Sequence, residues 1–218
     1  MSAWLSVWDL LPVLLFGAIT TIEVTLGSFV VATVIGLTLA LLQRLHLRPL
    51  NAVIAVYVDV FRAVPVLTQL FIIYFGLTEI GIRLDPIPAA IIGFGINGGA
   101  YLTEVFRAGV ESVHEGQMEA AQMLGMRRFA ALRIVILPQA MRVVLPPLGN
   151  FAIGLLKDTA LASAVAAPEL MFRARTLVDK TFLATQIFVT AAAIYLAMSV
   201  PLGYLTRRAE ARVARGRR

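Results

Sequence analysis

Five long apolar stretches alternate with shorter polar segments along the 218 residues of the chain. Each stretch supplies the roughly 20 apolar residues that one helical crossing of a bilayer needs. The pattern therefore predicts an all-α integral membrane protein with about five transmembrane helices, at residues 19–43, 53–78, 86–108, 142–166 and 183–206.

The segment before the first stretch, residues 1–18, differs from the others. It carries Trp4 and Trp8, and tryptophan is favoured at the level of the lipid headgroups. We expect an N-terminal interfacial segment here, followed by a transmembrane domain over residues 19–206. The segment lacks the basic start of a secretory signal, so the transmembrane helices themselves are expected to direct insertion.

The composition agrees with a membrane protein. Hydrophobic residues make up 59% of the chain and charged residues 15%, whereas charged residues are about a quarter of a typical soluble domain. The chain has no cysteine, which excludes disulfide bonds, thiol catalysis and thiolate metal sites. The net charge of +6 lies mainly in short loops and the C-terminal tail, where it acts as a topology signal. We therefore expect no nucleic-acid partner.

The distribution of basic residues predicts the orientation. With the N-terminus outside, the segments 43–52, 107–142 and 205–218 face the cytoplasm and hold 13 of the 19 Lys and Arg residues. The outer segments hold four. Since cytoplasmic loops are enriched in Lys and Arg, we expect the N-terminus outside and the C-terminus inside. The tail at 207–218 should then rest on the anionic lipid of the inner leaflet.

The most distinctive cytoplasmic segment lies at about residues 111–140. Small residues after Glu119 predict a short helix that another backbone can approach, and Gly125 can adopt the positive φ that ends it. The apolar run that follows Arg127 and Arg128 is expected to lie on the membrane surface until Pro138 ends it. A helix–glycine–helix elbow of this kind can move as a rigid piece.

Several motifs in this region resemble a known family. The order Glu-Ala-Ala at 119–121, Gly125 and Leu137-Pro138 resembles the EAA loop of permease subunits of binding-protein-dependent ABC importers. A wider set of motifs resembles the polar amino acid branch of the histidine and glutamine type. In chain order, these motifs are G-Q-x-E-A-A, L-G, L-P-Q-A, P-P-L-x-N and then Lys-Asp-Thr at 157–159. The resemblance covers about residues 17–210. Ala63-Val64 replaces the Gly-Thr of the family pattern, which removes one hydroxyl group.

The resemblance implies a type I ABC importer permease of the MetI-like fold in the bacterial inner membrane. It implies a second permease subunit, identical or homologous, two ATP-binding cassette subunits, a soluble amino acid-binding protein and an amino acid substrate. The chain contains no G-x-x-x-x-G-K-[ST] sequence, so ATP would be bound by the partner ATPase and this chain would be no enzyme and need no cofactor or metal. The residues implied to couple to the ATPase are Glu119, Ala120, Ala121, Gly125, Arg127 and Arg128.

Ionisable and amide side chains within the apolar stretches are candidates for function, because they are costly in lipid. The spacings of Asp59 with Arg62 and of Glu104 with Arg107 predict structural or gating ion pairs. A zwitterionic amino acid needs an anion for its ammonium group and donors for its carboxylate, and broken helices assist at mid-membrane sites. The residues predicted to line a substrate pathway on these grounds are Gln69, Asn97, Asn150, Lys157 and Asp158.

The sequence also bears on substrate class. Phe151 follows Asn150, so no carboxylate stands at that position to receive a basic side chain. Acidic or neutral polar amino acids are therefore favoured over lysine, arginine and histidine.

Two alternatives belong to other classes of protein. An ion channel or secondary transporter without an ATPase partner would also carry charges within the membrane, but it would have no use for the elbow at Gly125. An intramembrane enzyme is disfavoured because His46 and His114 lie far apart in the sequence and no nucleophile stands at helical spacing from a base.

Overall fold

The computed structural model describes residues 2–215, which are almost entirely helical. We number the helices in chain order: α1 Ser2–Gln43, α2 Arg48–Ala63, α3 Val66–Glu79, α4 Pro86–Glu111, α5 Gly116–Met123, α6 Arg128–Val165, α7 Leu170–Thr181 and α8 Ala184–Arg215. The all-α prediction is confirmed.

Four of these helices, α1, α4, α6 and α8, are long and apolar enough to cross a membrane. Helices α2 and α3 are long and apolar enough only as a pair, and they meet at an angle of 104°, which is the geometry of a broken span or of a re-entrant loop. The prediction of one uninterrupted helix over 53–78 is therefore wrong. Pro65 has no backbone N–H and disfavours the helical conformation of the residue before it, and Val64 is extended, with φ −85° and ψ 131°.

Helix α1 runs without interruption through residue 18, where the interfacial segment was expected to end. Its apolar part, Trp8–Gln43, has 36 residues and is about 54 Å long at 1.5 Å per residue, against roughly 30 Å for the hydrocarbon core. The helix therefore exceeds one straight crossing. That its first residues lie at the interface stays a prediction.

Helix α6 also differs from the expectation. Pro138 was predicted to end a surface segment, with a new span beginning at 142, but one helix runs from Arg128 to Val165. A π-helical turn, Leu132–Ile136, directly precedes the proline, and Pro138 lies at the start of the α-helical part that begins at Leu137. Proline is tolerated there because the first N–H groups of a helical segment need no partner within it.

The core forms where α1 packs along α4. Three glycines allow the two backbones to approach, because a Cβ atom on Gly36, Gly95 or Gly99 would meet a side chain of the other helix at less than 3 Å. Close approach through small residues is the usual way in which membrane helices associate. This packing places α2, α6 and α8 around the α1–α4 pair.

A buried carboxylate, Glu169, connects α1, α7 and α8 in the segment that follows α6. Its oxygens accept hydrogen bonds from the backbone N–H groups of Met171 (2.9 Å) and Phe172 (2.7 Å) at the start of α7, and from the Tyr195 hydroxyl of α8 (3.0 Å). Thr21 of α1 lies at 3.5 Å. The side chain is fully buried, and burial raises its pKa. No pattern in the sequence pointed to this residue.

We expect Glu169→Ala to destabilise the protein by about 1–3 kcal/mol, because buried donors lose their partner. Since the pKa of Glu169 is raised in the folded state, its contribution to stability is full below the ordinary carboxyl pKa and is lost as the pH rises through the folded value. Glu169→Gln should remove this loss. Thermal unfolding of the detergent-solubilised protein against pH tests both effects, with Glu79→Gln, an exposed carboxylate, as control. Identical pH profiles for wild type and Glu169→Gln would contradict the prediction.

Candidate translocation and coupling sites

The elbow predicted at Gly125 is present. Helix α5 ends at Met123, Gly125 has a φ of +81°, and α6 begins at Arg128 after an extended Arg127. Two hydrogen bonds close the turn, from Gly125 N–H to Gln122 O (2.9 Å) and from Met126 N–H to Ala121 O (3.1 Å). These are the bonds of a Schellman motif, in which the residue with positive φ is usually glycine.

The side chains of the elbow fall into two groups. Glu119, Ala120, Arg127 and Arg128 are exposed, as an interface with another subunit requires. Ala121 is 4% exposed, so its small size serves packing within this chain.

The tip of the elbow also exposes large apolar side chains. Met123, Leu124 and Phe129 are 92%, 83% and 76% exposed. Exposed groups of large apolar side chains mark sites of contact with another protein or with the membrane. We call these three residues the apolar tip. They were not among the predicted coupling residues, although their position on either side of Gly125 was a usable signal.

A pair of glutamines connects the elbow to the transmembrane part of α6. The Gln139 amide donates to Gln117 Oε1 of α5 at 3.2 Å and to the Val135 carbonyl at 3.0 Å. Beyond Gln139, the α-helical part of α6 continues without a break to Asp158. The elbow and the middle of the membrane domain are therefore joined by a single helix.

The two predicted ion pairs have different outcomes. Arg107 bonds to Glu104 at 2.5 Å and additionally to Glu111 at 2.8 Å, so all three charges are satisfied near the end of α4. No ion pair joins Asp59 and Arg62 in the described residues, and both side chains are exposed on α2. The (i, i+3) spacing permitted this pair, but Arg62 instead lines a cavity beside α4 and α6.

Gln69 and Asn97 both bind the end of α2, where the helix breaks. The Gln69 amide donates to the carbonyls of Phe61 (2.9 Å) and Val64 (2.8 Å), and the Asn97 amide donates to the same Phe61 carbonyl (2.7 Å). The last carbonyls of a helix have no partner within it, so these amides stabilise the break. Gln69 is buried and lies outside the cavity.

The cavity has a volume of about 370 Å³ and lies between α2, α4 and α6. It brings together three of the predicted pathway residues, Asn97, Asn150 and Asp158, because the last two are eight positions apart on one face of α6. Lys157 is exposed elsewhere on the helix and does not line it. The complete lining is Arg62, Asn97, Tyr101, Asn150, Phe151, Gly154, Leu155 and Asp158.

Two features of the cavity follow from this lining. Arg62 and Asp158 are its charged residues, one of each sign. Tyr101 and Phe151 are stacked, with ring centroids 5.6 Å apart and planes at 19°, and form an apolar wall. Such a cavity can hold a small molecule that carries one positive and one negative group.

The comparison with known families decides the class of the protein. A family model described as "Binding-protein-dependent transport system inner membrane component" matches residues 32–215. The chain belongs to this family. It is an inner-membrane permease subunit of the amino acid ABC importer class, as the motif resemblance implied.

Individual relatives agree with the family. The chain is 43% identical to the L-cystine transport system permease protein TcyB of Bacillus subtilis (strain 168), over 77% of this chain and 74% of the relative. It is 35% identical to the glutamine transport system permease protein GlnP of Escherichia coli (strain K12), over 96% and 97%.

Solved structures confirm the fold. A chain from the crystal structure of an amino acid ABC transporter with histidines superposes with a TM-score of 0.88 at 34% identity, covering 96% of this chain and 98% of the other. A chain of the inward-facing MetNI methionine ABC transporter gives a TM-score of 0.75 at 20% identity, covering 94% and 98%, which supports the MetI-like fold alone.

Proposed function

We propose that this chain carries neutral polar amino acids across the inner membrane into the cytoplasm, driven by a separate ATPase that docks on the elbow at Gly125. The observation that carries the proposal is the cavity, which is lined by the guanidinium group of Arg62 and the carboxylate of Asp158. Asp158 lies on α6, the helix that begins at the elbow.

The cavity suits a free amino acid. The planar guanidinium of Arg62 matches the α-carboxylate in a two-point contact, and Asp158 matches the α-ammonium group. One N–H of the Asn97 amide donates to Phe61, which leaves its carbonyl oxygen and its second N–H for a polar side chain, and Asn150 offers a second amide. The stacked rings of Tyr101 and Phe151 exclude water from one wall.

The charge balance favours a neutral side chain. Arg62 and Asp158 are the charged residues that line the cavity in the described part of the chain. In the proposed complex, the carboxylate of the substrate pairs with Arg62 and its ammonium group pairs with Asp158. A basic or an acidic side chain would then lack an opposite charge, and an unpaired charge is costly away from water. The name of the glutamine permease supports this substrate class, and the absence of a carboxylate at Phe151 agrees with it.

The coupling contact is proposed at the exposed face of the elbow. The apolar tip would enter a groove of the ATPase, with Glu119, Arg127 and Arg128 forming polar contacts around it. This arrangement, apolar anchors within a polar rim, is common in protein interfaces. Closure of two ATPase subunits on ATP would move the elbows of two permease subunits and turn the cavity outward. Hydrolysis would return it inward.

The remaining partners follow from the family. A second permease subunit would complete the enclosure of the cavity, and a soluble binding protein would deliver the amino acid from outside. The N-out, C-in orientation proposed here places the elbow on the ATPase side, and the excess of Lys and Arg in that loop and the tail supports it.

Purification of the tagged chain in a mild detergent, with mass spectrometry of the proteins that accompany it, tests the proposal. We expect an ABC ATPase and either a second copy or a homologous permease. A stable chain that purifies alone and conducts ions or cotransports substrate when reconstituted would overturn the importer assignment in favour of a channel or secondary transporter.

A further inference from the structure

Helix α6 has a weak point close to the elbow. Within its π-helical turn the Leu137 N–H bonds to Leu132 O, five residues back, and the next residue, Pro138, has no N–H to donate. Interrupted backbone hydrogen bonding of this kind is where long helices bend, and π-helical turns are frequent at functional sites. The structure therefore places a hinge at residues 132–138, between the elbow and the membrane domain.

Gln139 spans this hinge. Its amide nitrogen donates to the Val135 carbonyl inside the π-helical turn at 3.0 Å, and to Gln117 Oε1 of α5 at 3.2 Å. The side chain of Gln139 thus binds both the π-helical turn and helix α5. Hydrogen bonds are directional, so this contact transmits rotation as well as displacement, whereas packing of small apolar side chains permits sliding.

The far end of the same helix lines the cavity. From Gln139 to Asp158 the helix rises about 28 Å at 1.5 Å per residue, with Pro146 and Pro147 inside it. Where this segment moves as one body, each degree of bending at residues 132–138 moves Asp158 by roughly 0.5 Å over that length. A bend of a few degrees is enough to change the distance between Asp158 on α6 and Arg62 on α2, which both line the cavity.

We propose that the Gln117–Gln139 pair is the mechanical link by which movement of α5 sets the angle of α6 and so opens or closes the cavity. The inference rests on the proposed function, because it requires an ATPase that moves α5. Gln139 is a positioning residue: it does not touch the substrate or the ATPase, and it acts through the angle of α6.

Methionine substitutions test the link, because methionine keeps the length of glutamine and removes the amide. The full complex is reconstituted in liposomes with its ATPase and binding protein, and basal ATPase activity, stimulated ATPase activity and transport per ATP are measured. We expect Gln139→Met and Gln117→Met each to lower transport per ATP about 3- to 10-fold, the range for one lost hydrogen bond. Basal activity should remain.

The double variant and two controls sharpen the test. If the residues act as one link, the double methionine variant is no worse than either single variant. Gln117→Glu keeps an acceptor for the Gln139 amide and should retain coupling. Gln186→Met, a glutamine of α8 outside the elbow and the cavity, should behave as wild type.

Four results would overturn the link. They are coupling in Gln139→Met equal to that in Gln186→Met, additive losses in the double variant, loss of coupling in Gln117→Glu, and loss of the ATPase from purified Gln139→Met. A wild-type complex without stimulated ATPase activity would instead overturn the proposed function, and the link with it.

Discussion

Replacing Gly125 by valine is expected to abolish substrate-stimulated ATP hydrolysis while membrane insertion remains intact. Gly125 has a φ of +81°, and no atom lies within 4 Å of where its Cβ would be, so the backbone alone resists the change. The left-handed conformation costs a residue with a side chain roughly 1–2 kcal/mol, and a β-branched residue is a genuine outlier there. The Schellman turn should open and the apolar tip should lose its position.

The chain contains a matched control for this substitution. Gly81 has a φ of +86°, also has open space around its Cβ position, and ends α3 in the same pair of bonds, from Gly81 to Thr78 and from Ile82 to Leu77. Gly81→Val therefore introduces the same strain outside the elbow and should retain coupling. Gly125→Asn should lose less than Gly125→Val, because asparagine tolerates positive φ.

Stimulated ATPase activity of the reconstituted complex and the amount of inserted protein are the two measurements. Normal coupling in Gly125→Val would refute the rigid elbow. Equal loss in Gly81→Val would attribute the effect to general destabilisation of the fold.

Removing either charge from the cavity is expected to have the second large effect. Asp158→Asn and Arg62→Gln each leave one charged group of a bound amino acid without its partner. A hydrogen bond to a charged group contributes about 1.5–3 kcal/mol, so transport at low substrate concentration should fall roughly 10- to 150-fold. Uptake of radiolabelled glutamine and cystine into proteoliposomes, measured over a range of binding-protein concentrations, gives the effect.

Lys157→Gln is the control for this prediction. Lys157 neighbours Asp158 in the sequence but is exposed outside the cavity, so its loss should change uptake little. The basal ATPase activity of all three variants should equal that of wild type, since the elbow is unchanged. If Lys157→Gln reduces uptake as much as Asp158→Asn, the cavity is not where substrate is recognised.

The class of the fold could be predicted from the sequence because it depends on local properties. Apolar stretches of sufficient length must be helices in lipid, since no water is present to satisfy the backbone. The path of the chain at its prolines could not be predicted in the same way. Pro65 breaks a span and Pro138 does not, because the outcome depends on which groups compensate for the missing N–H. At Pro65 those groups are Gln69 and Asn97, which bind the freed carbonyls.

Which residues line the cavity depends on how each helix is rotated about its own axis. Asp158 faces the cavity and Lys157 does not, although they are adjacent, because successive residues of a helix point about 100° apart. Arg62 was assigned to a pair with Asp59 on spacing alone, and the position of α4 and α6 beside α2 gives it another environment. Glu169 was missed because its partners, Thr21 and Tyr195, are far from it in the sequence.

The sequence by itself determined the membrane class, the elbow at Gly125 and the family, because hydropathy, glycine conformation and motif spacing are properties of neighbouring residues. The tertiary structure decided the bend between α2 and α3, the continuous α6, the apolar tip, the Gln117–Gln139 contact and the presence of Arg62 and Asp158 in the lining of one cavity. These depend on contacts between helices, and the angle and rotation at which helices pack are set by the shapes of both surfaces together.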